Sequence, residues 1–237
     1  MKKIKIKIVK LGYQKNNISL EKLKKYKSKI FEIETFEQNL PMCDYEWGYS
    51  FDTLTELLTT NFDESHFNMC IGFVDTMIEN NFFGKKLKDD NISVVSFYQV
   101  EKILSDNNID IFNFILSMIY RHVTRYVVVG KSLSHSATRS CLFDMCGNKN
   151  DVIYCSSQPV ICNECESKIK NVQMPDNYLI VLKKELRRIR KHKYHVLVEF
   201  IQKHPYFSLF IGFISSIVIG LITNFIFALL MNIFVER

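Results

Sequence analysis

The 237-residue chain has only eight glycines and four prolines, and neither a glycine-rich phosphate loop nor a nucleophile elbow occurs in it. Those absences exclude the P-loop and α/β-hydrolase chemistries, which need a backbone that cradles a phosphate or presents a serine on a tight turn. Internal repeats and low-complexity linkers are also absent, so the length corresponds to one domain of ordinary size plus an appendage. At the start, MKKIKIKIVKLG alternates lysine with apolar residues and no small-residue cleavage site follows. It lacks the continuous apolar segment of a secretion signal and reads as a first strand.

The most informative absence is charge. From Phe207 to Val235 no side chain is charged. Twenty-nine residues of helix reach roughly 43 Å, more than the ~30 Å hydrocarbon core of a bilayer. A transmembrane helix over residues 206–235 is therefore expected. Along it Gly212, Ser216, Gly220, Asn224 and Ala228 recur at every fourth position, with Asn232 continuing the row. Small residues at this spacing let helix backbones approach in lipid, and Asn224 would find a hydrogen-bond partner there. A homo-oligomer, or pairing with another membrane protein, is the partner expected.

Lys183, Lys184, Arg187, Arg188, Arg190, Lys191 and Lys193 crowd one short stretch whose only acid is Glu185, and together they account for the whole net charge of +6. The rest of the chain is neutral overall, and the basic stretch lacks interleaved aromatics, which argues against nucleic acid as a partner. Residues 174–205 read as a basic helical stalk, solvated or tilted onto anionic lipid headgroups. The positive-inside rule places the N-terminal part in the cytoplasm, with Glu236 and Arg237 across the membrane.

Before the stalk, strands are expected at Lys3–Leu11, Ile30–Phe36, Asn68–Asp75 and Ile92–Tyr98, and helices at Leu20–Lys29, Phe51–Thr60 and Asp110–Val129. That order predicts an α/β domain over residues 1–173 with a mixed sheet and flanking helices. Of seven cysteines, Cys141 and Cys146 form a C-x4-C pair and Cys162 and Cys165 a C-x2-C pair, fifteen residues apart. Four thiolates so spaced can converge tetrahedrally on one structural Zn2+, a knuckle over residues 141–165 that leaves no open position for a water nucleophile. His135 could replace one thiolate, but four cysteines complete the shell. Cys43, Cys70 and Cys155 read as small buried residues, and His122 as a partly buried histidine with its hydrogen bonds satisfied.

The cysteine framework resembles that of the archaemetzincins, zinc peptidases in which HExxHxxGxxHC is followed by x4-C and later C-x2-C. KIKIVKLG resembles the family's opening strand, Pro41 with YSFDTLTELL its proline loop and helix, IGFVDTMI and ISVVSFYQVEKI its next strands. The likeness covers residues 3–170 and implies a zincin-like fold. Counted back from Cys141, the family's zinc-binding histidines would fall at Gly130, Ser134 and Ser140 and its glutamate at Lys131, and no H-E-x-x-H occurs elsewhere; Glu64 and His66 are wrongly spaced. Serine and glycine cannot hold catalytic zinc, and Lys131 would repel it. The expectation is a pseudo-metallopeptidase with no catalytic residues, a retained structural zinc and a membrane anchor, serving as a sensor, effector or interaction module. By analogy of layout it would suit prokaryotic stress or defence. The alternatives are a membrane-anchored hydrolase using His122, His135 and a carboxylate, and an assembly scaffold for a membrane partner.

Overall fold

The computed structural model describes residues 2–13, 19–60, 62–88, 91–128, 132–136, 138–172, 177–190 and 193–235, in two compact units, residues 1–190 and 191–237. The first unit is built on a five-stranded sheet. Its strands are β1 (Ile4–Leu11), β2 (Phe31–Gln38), β3 (Met69–Val74), β4 (Gly84–Lys86) and β5 (Ile92–Ser96), in the order β2-β1-β3-β5-β4. All neighbours are parallel except β4, which runs antiparallel to β5 at the edge. The mixed α/β sheet expected from the sequence is the one observed. The short strand β4 was not anticipated, because three residues are too few to carry a periodicity.

The two-residue period assigns each side chain to a face. Met69, Ile71 and Phe73 of β3 join Ile6 and Ile8 of β1 and Val95 of β5 in the larger core. Cys70 and Val74 join Val9, Leu11, Ile92 and Val94 on the opposite face. Both central strands, β3 and β5, are wholly buried, as strands covered on two sides must be.

The smaller face is closed by α2 (Phe51–Thr60), through Leu54 and Leu58. Gly72 makes this possible, since a Cβ there would stand 2.8 Å from a Leu58 methyl. On the larger face, α1 (Leu20–Lys24) is shorter than expected and ends at Lys25. Next come α3 (Val100–Asp106) and the central helix α4 (Ile111–Val127), opened by the Asp110 carboxylate accepting from the Phe112 N–H at 2.8 Å. Every residue of α4 from Phe114 to Thr124 is buried, including Ser117, Arg121, His122 and Thr124. Two short helices, α5 (Val152–Ser156) and α6 (Asn163–Lys170), complete the cysteine-rich segment.

The stretch expected to form one basic stalk is divided. Helix α7 (Tyr178–Leu186) belongs to the first unit and buries Tyr178, Leu182 and Leu186, followed by Ile189. The carboxylate of Glu185, 1% exposed, accepts from Ser28 Oγ at 2.6 Å, the Lys29 N–H at 2.7 Å and Tyr120 Oη at 2.7 Å. Lys183 is ion-paired to Glu166, and an Arg188 N–H donates to the Lys27 carbonyl. This part of the basic stretch is held by the domain because an apolar stripe at Tyr178, Leu182 and Leu186 has a core to enter. Lys191, Asp89 and Asp90, and the terminal Glu236 and Arg237, lie outside the described residues.

The second unit contains α8 (Lys193–Lys203) and α9 (Pro205–Val235). Proline suits the first position of a helix, where its missing N–H costs nothing. Among the described residues α9 is the one helix long and apolar enough to cross a membrane. Ser216 Oγ donates to the Gly212 carbonyl and Thr223 Oγ1 to that of Ile219, both at 2.9 Å, so these hydroxyls are satisfied within the helix.

Candidate functional site

Beyond α4 the chain builds a sulfur-rich cluster from three local structures. His135 lies on an extended segment whose carbonyl accepts from the Met145 N–H. Cys141 is placed by pairing with the segment around Val160, the Leu142 and Val160 amides donating at 2.8 Å to the Val160 and Ser140 carbonyls. Cys162 caps the N-terminus of α6, and Cys165 follows in its first turn. His135 Nε2 lies 3.2 Å from Cys141 Sγ and 3.5 Å from Cys162 Sγ, and Cys141 Sγ lies 4.0 Å from Cys165 Sγ. All four donor atoms are within 4.8 Å of one another. A tetrahedral zinc with bonds of about 2.0–2.3 Å needs donors roughly 3.5 Å apart, so the set fits one ion.

The observed cluster differs from the expected four-cysteine set at one position, where His135 stands with Cys141, Cys162 and Cys165 and Cys146 lies elsewhere. The Asp144 carboxylate accepts from the Cys146 N–H at 2.8 Å, and Cys146 adopts a φ of +48°. This turn sets its sulfur 3.7 Å from Cys155 Sγ instead. Cys70 and Cys155 are buried as expected, but Cys43 is exposed.

Electrostatics grade the three clustered thiols. Burial pushes the Cys141 and Cys165 thiols up. Burial also opposes ionisation of Cys162, but hydrogen bonds from the Cys165 backbone and thiol and the Cys141 thiol outweigh it and hold Cys162 below its ordinary range. A bound dication would ionise all three. Three thiolates and one imidazole would close the shell of a bound ion, which would then serve to fasten His135, Cys141, Cys162 and Cys165 together.

A separate cavity of about 1080 Å³ opens between α4, the residues around β4 and the loop at residues 145–149. On α4 its wall is Met118, Arg121, His122, Arg125 and Val128, and Gly84, Lys86 and Lys149 line it from the other elements. No carboxylate is among its described lining residues. An Arg121 N–H donates to the Asp144 carbonyl, and Arg125 donates to Ser134 Oγ. His122 is 3% exposed and its Nε2 has no hydrogen-bond partner, so it is not the satisfied histidine expected. Burial first, then the Arg125 and Arg121 charges, hold it well below the usual histidine range and keep it neutral.

Helix α4 ends at Val127, so positions 130, 131, 134 and 140 lie beyond it. Gly130 and Lys131 are outside the described residues, Ser134 lines the cavity, and Ser140 sits in a turn at φ +69°. The α4 residues that do face the cavity, Arg121, His122 and Arg125, stand at i, i+1 and i+4. An H-E-x-x-H motif uses the same spacing to aim two histidines and a glutamate from one helix face. The sequence did not single them out as a set, because Arg-His-x-x-Arg matches no metal-binding motif.

No family model matches the chain, and no curated protein does. Among solved structures, archaemetzincin from Methanopyrus kandleri superimposes with a TM-score of 0.53 at 15% identity, covering 71% of this chain and 94% of that one. The chain has the archaemetzincin fold. Archaemetzincin from Archaeoglobus fulgidus gives a TM-score of 0.48 at 20% identity over 70% of this chain and 99% of that one. A zinc-dependent peptidase from Methanocorpusculum labreanum gives 0.46 at 11% identity over 69% and 99%. The fold assignment rests on the first of these alone. On this archaemetzincin fold the structure brings Cys141, Cys162 and Cys165 together, adds His135, and leaves Cys146 to Cys155.

Proposed function

We propose that this chain is a membrane-anchored, non-peptidase module on an archaemetzincin fold, a sensor or effector that takes a ligand in the cavity above α4. One observation carries the proposal. The α4 wall of the cavity presents Arg121, His122 and Arg125, so two of the three side chains at the i, i+1, i+4 spacing that H-E-x-x-H uses are cations, and no glutamate is among the described lining residues to act as base. The one described cluster able to hold a metal is the His135–Cys141–Cys162–Cys165 set, and its four protein donors leave no site for water. A hydrolase built from His122 and His135 has no support here: His122 lies between two arginines and His135 among thiols.

Metal counting on the purified full chain tests this. One zinc per chain, lost in Cys141→Ser/Cys162→Ser, together with no peptide cleavage, is the expected result. A second zinc that survives those changes, with proteolysis stopped by a chelator and restored by zinc, would overturn it. Ligand state would reach the membrane through α8 and α9, with Gly212, Ser216, Gly220, Asn224 and Ala228 as the contact row between copies of α9. A membrane two-hybrid signal should disappear in Gly212→Ile/Gly220→Ile/Asn224→Leu, and an undiminished signal would remove self-association.

A further inference from the structure

The cavity's chemistry narrows the ligand. Arg121 and Arg125 of α4 and Lys149 opposite them line it, and its described lining includes no carboxylate. Lys149 Nζ lies 5.3 Å from the Tyr98 ring centroid and donates to Asn81 Oδ1 at 2.7 Å. Lys85 stands in register with Val94 on the α2 face of the sheet, its Nζ 5.4 Å from the Phe51 centroid, and so points away from the cavity. An anion entering beside the arginines and Lys149 would gain charge-assisted hydrogen bonds.

Two buried groups in the wall are unfilled. Arg121 is 4% exposed with no partner at its Nε, and His122 is 3% exposed with none at its Nε2. Buried polar atoms normally find partners, and those without one mark a place for an absent group. Gly84 opens the floor in front of them: a Cβ there would lie 3.6 Å from Met118 Sδ and 3.9 Å from His122 Nε2, in ordinary contact. The remaining wall is apolar, with Phe83, Val128 and Leu133 among its members. Desolvation also lowers the Lys149 amine to about 8, as befits an ammonium still lacking its counter-ion.

We propose that this cavity binds a multiply charged phosphate ester that carries an apolar or aromatic moiety, its phosphates meeting Arg121, Arg125 and Lys149 and His122 donating to a phosphate oxygen. This holds only if the cavity is no peptidase site, as proposed above. Arginine suits the role because its planar fork matches phosphate geometry. The volume is at the upper end for a small-molecule site, enough for a nucleotide-sized ligand.

The test is calorimetric titration of the full chain in phosphatidylcholine nanodiscs with ATP and inorganic pyrophosphate, and with adenosine as the uncharged control. ATP and pyrophosphate should bind and adenosine should not. Lys149→Gln should weaken ATP about tenfold, and Lys85→Gln, on the opposite face of the sheet, should leave the affinity unchanged. Gly84→Leu should abolish binding by filling the floor without removing a charge. Repeating the ATP titration in discs containing phosphatidic acid identifies the source: unchanged affinity assigns the site to a soluble phosphate, and competition assigns it to a lipid headgroup. No ATP or pyrophosphate heat at about 1 mM, or an affinity that Lys149→Gln and Gly84→Leu both leave unchanged, would overturn the proposal. Zinc counted on the same sample separates the two failures. A second zinc in the cavity defeats the non-peptidase reading beneath, whereas one zinc with no phosphate binding defeats the phosphate site alone.

Discussion

The sulfur cluster and the basic cavity share one stretch of chain, residues 132–165, yet they are opposite environments. Leu133 lines the cavity while its carbonyl accepts from Cys165 Sγ at 3.5 Å, so the two sites meet at a single residue. On one side, four soft donors within 4.8 Å of one another can attract and enclose a dication. On the other, arginines and a lysine would repel one. The contrast lies in the donor sets: on one fold a metal-capable cluster stands beside a cavity whose described lining carries cations and no carboxylate.

The largest effect should come from emptying the cluster. In Cys141→Ser/Cys162→Ser the segment from residue 133 to 165 loses its fastening, and stability should fall by about 5 kcal/mol, since structural zinc contributes folding energy directly. Thermal unfolding with and without a chelator measures this. Wild type with chelator should match the variant without it, and a variant as stable as wild type would break the contrast at its stronger end.

A finer comparison sets His135→Ala against Cys146→Ala. If His135 is the fourth ligand, its removal should weaken zinc about a hundredfold, roughly 2.7 kcal/mol, in competition with a chromogenic chelator. Cys146→Ala should keep one zinc per chain and cost about 1 kcal/mol for a small buried side chain. The reverse ranking would restore the four-cysteine set. The smallest effect is a gain. Arg121→His/His122→Glu/Arg125→His writes H-E-x-x-H onto the cavity face of α4 and should add a second, weak zinc equivalent with a Kd on the order of micromolar. Zinc titration showing only the original equivalent would mean that this helix face is not aimed as its spacing implies.

The main strands and the central helix were legible because their apolar residues recur with periods of two and 3.6 over enough length to be read. The docking of α7 was less so. Its signal was present at Tyr178, Leu182 and Leu186, but seven basic residues nearby suggested a solvated stalk, and the carboxylate that fastens it, Glu185, finds Ser28 more than 150 residues earlier. The cavity was invisible for a related reason. Arg121 and Arg125 come from α4 and Lys149 from a distant loop, and each alone resembles an ordinary surface cation.

By itself the sequence determined the α/β pattern, the two cysteine pairs, the absence of H-E-x-x-H and an uncharged terminal helix, since composition and short-range spacing carry all of these. Only the tertiary structure decided that His135 stands with Cys141, Cys162 and Cys165, that Cys146 faces Cys155, and that Arg121, His122 and Arg125 line a cavity with no carboxylate among its described lining residues. Donor geometry and electrostatic surroundings are set by distances between residues far apart in the chain, and only the folded backbone establishes those distances.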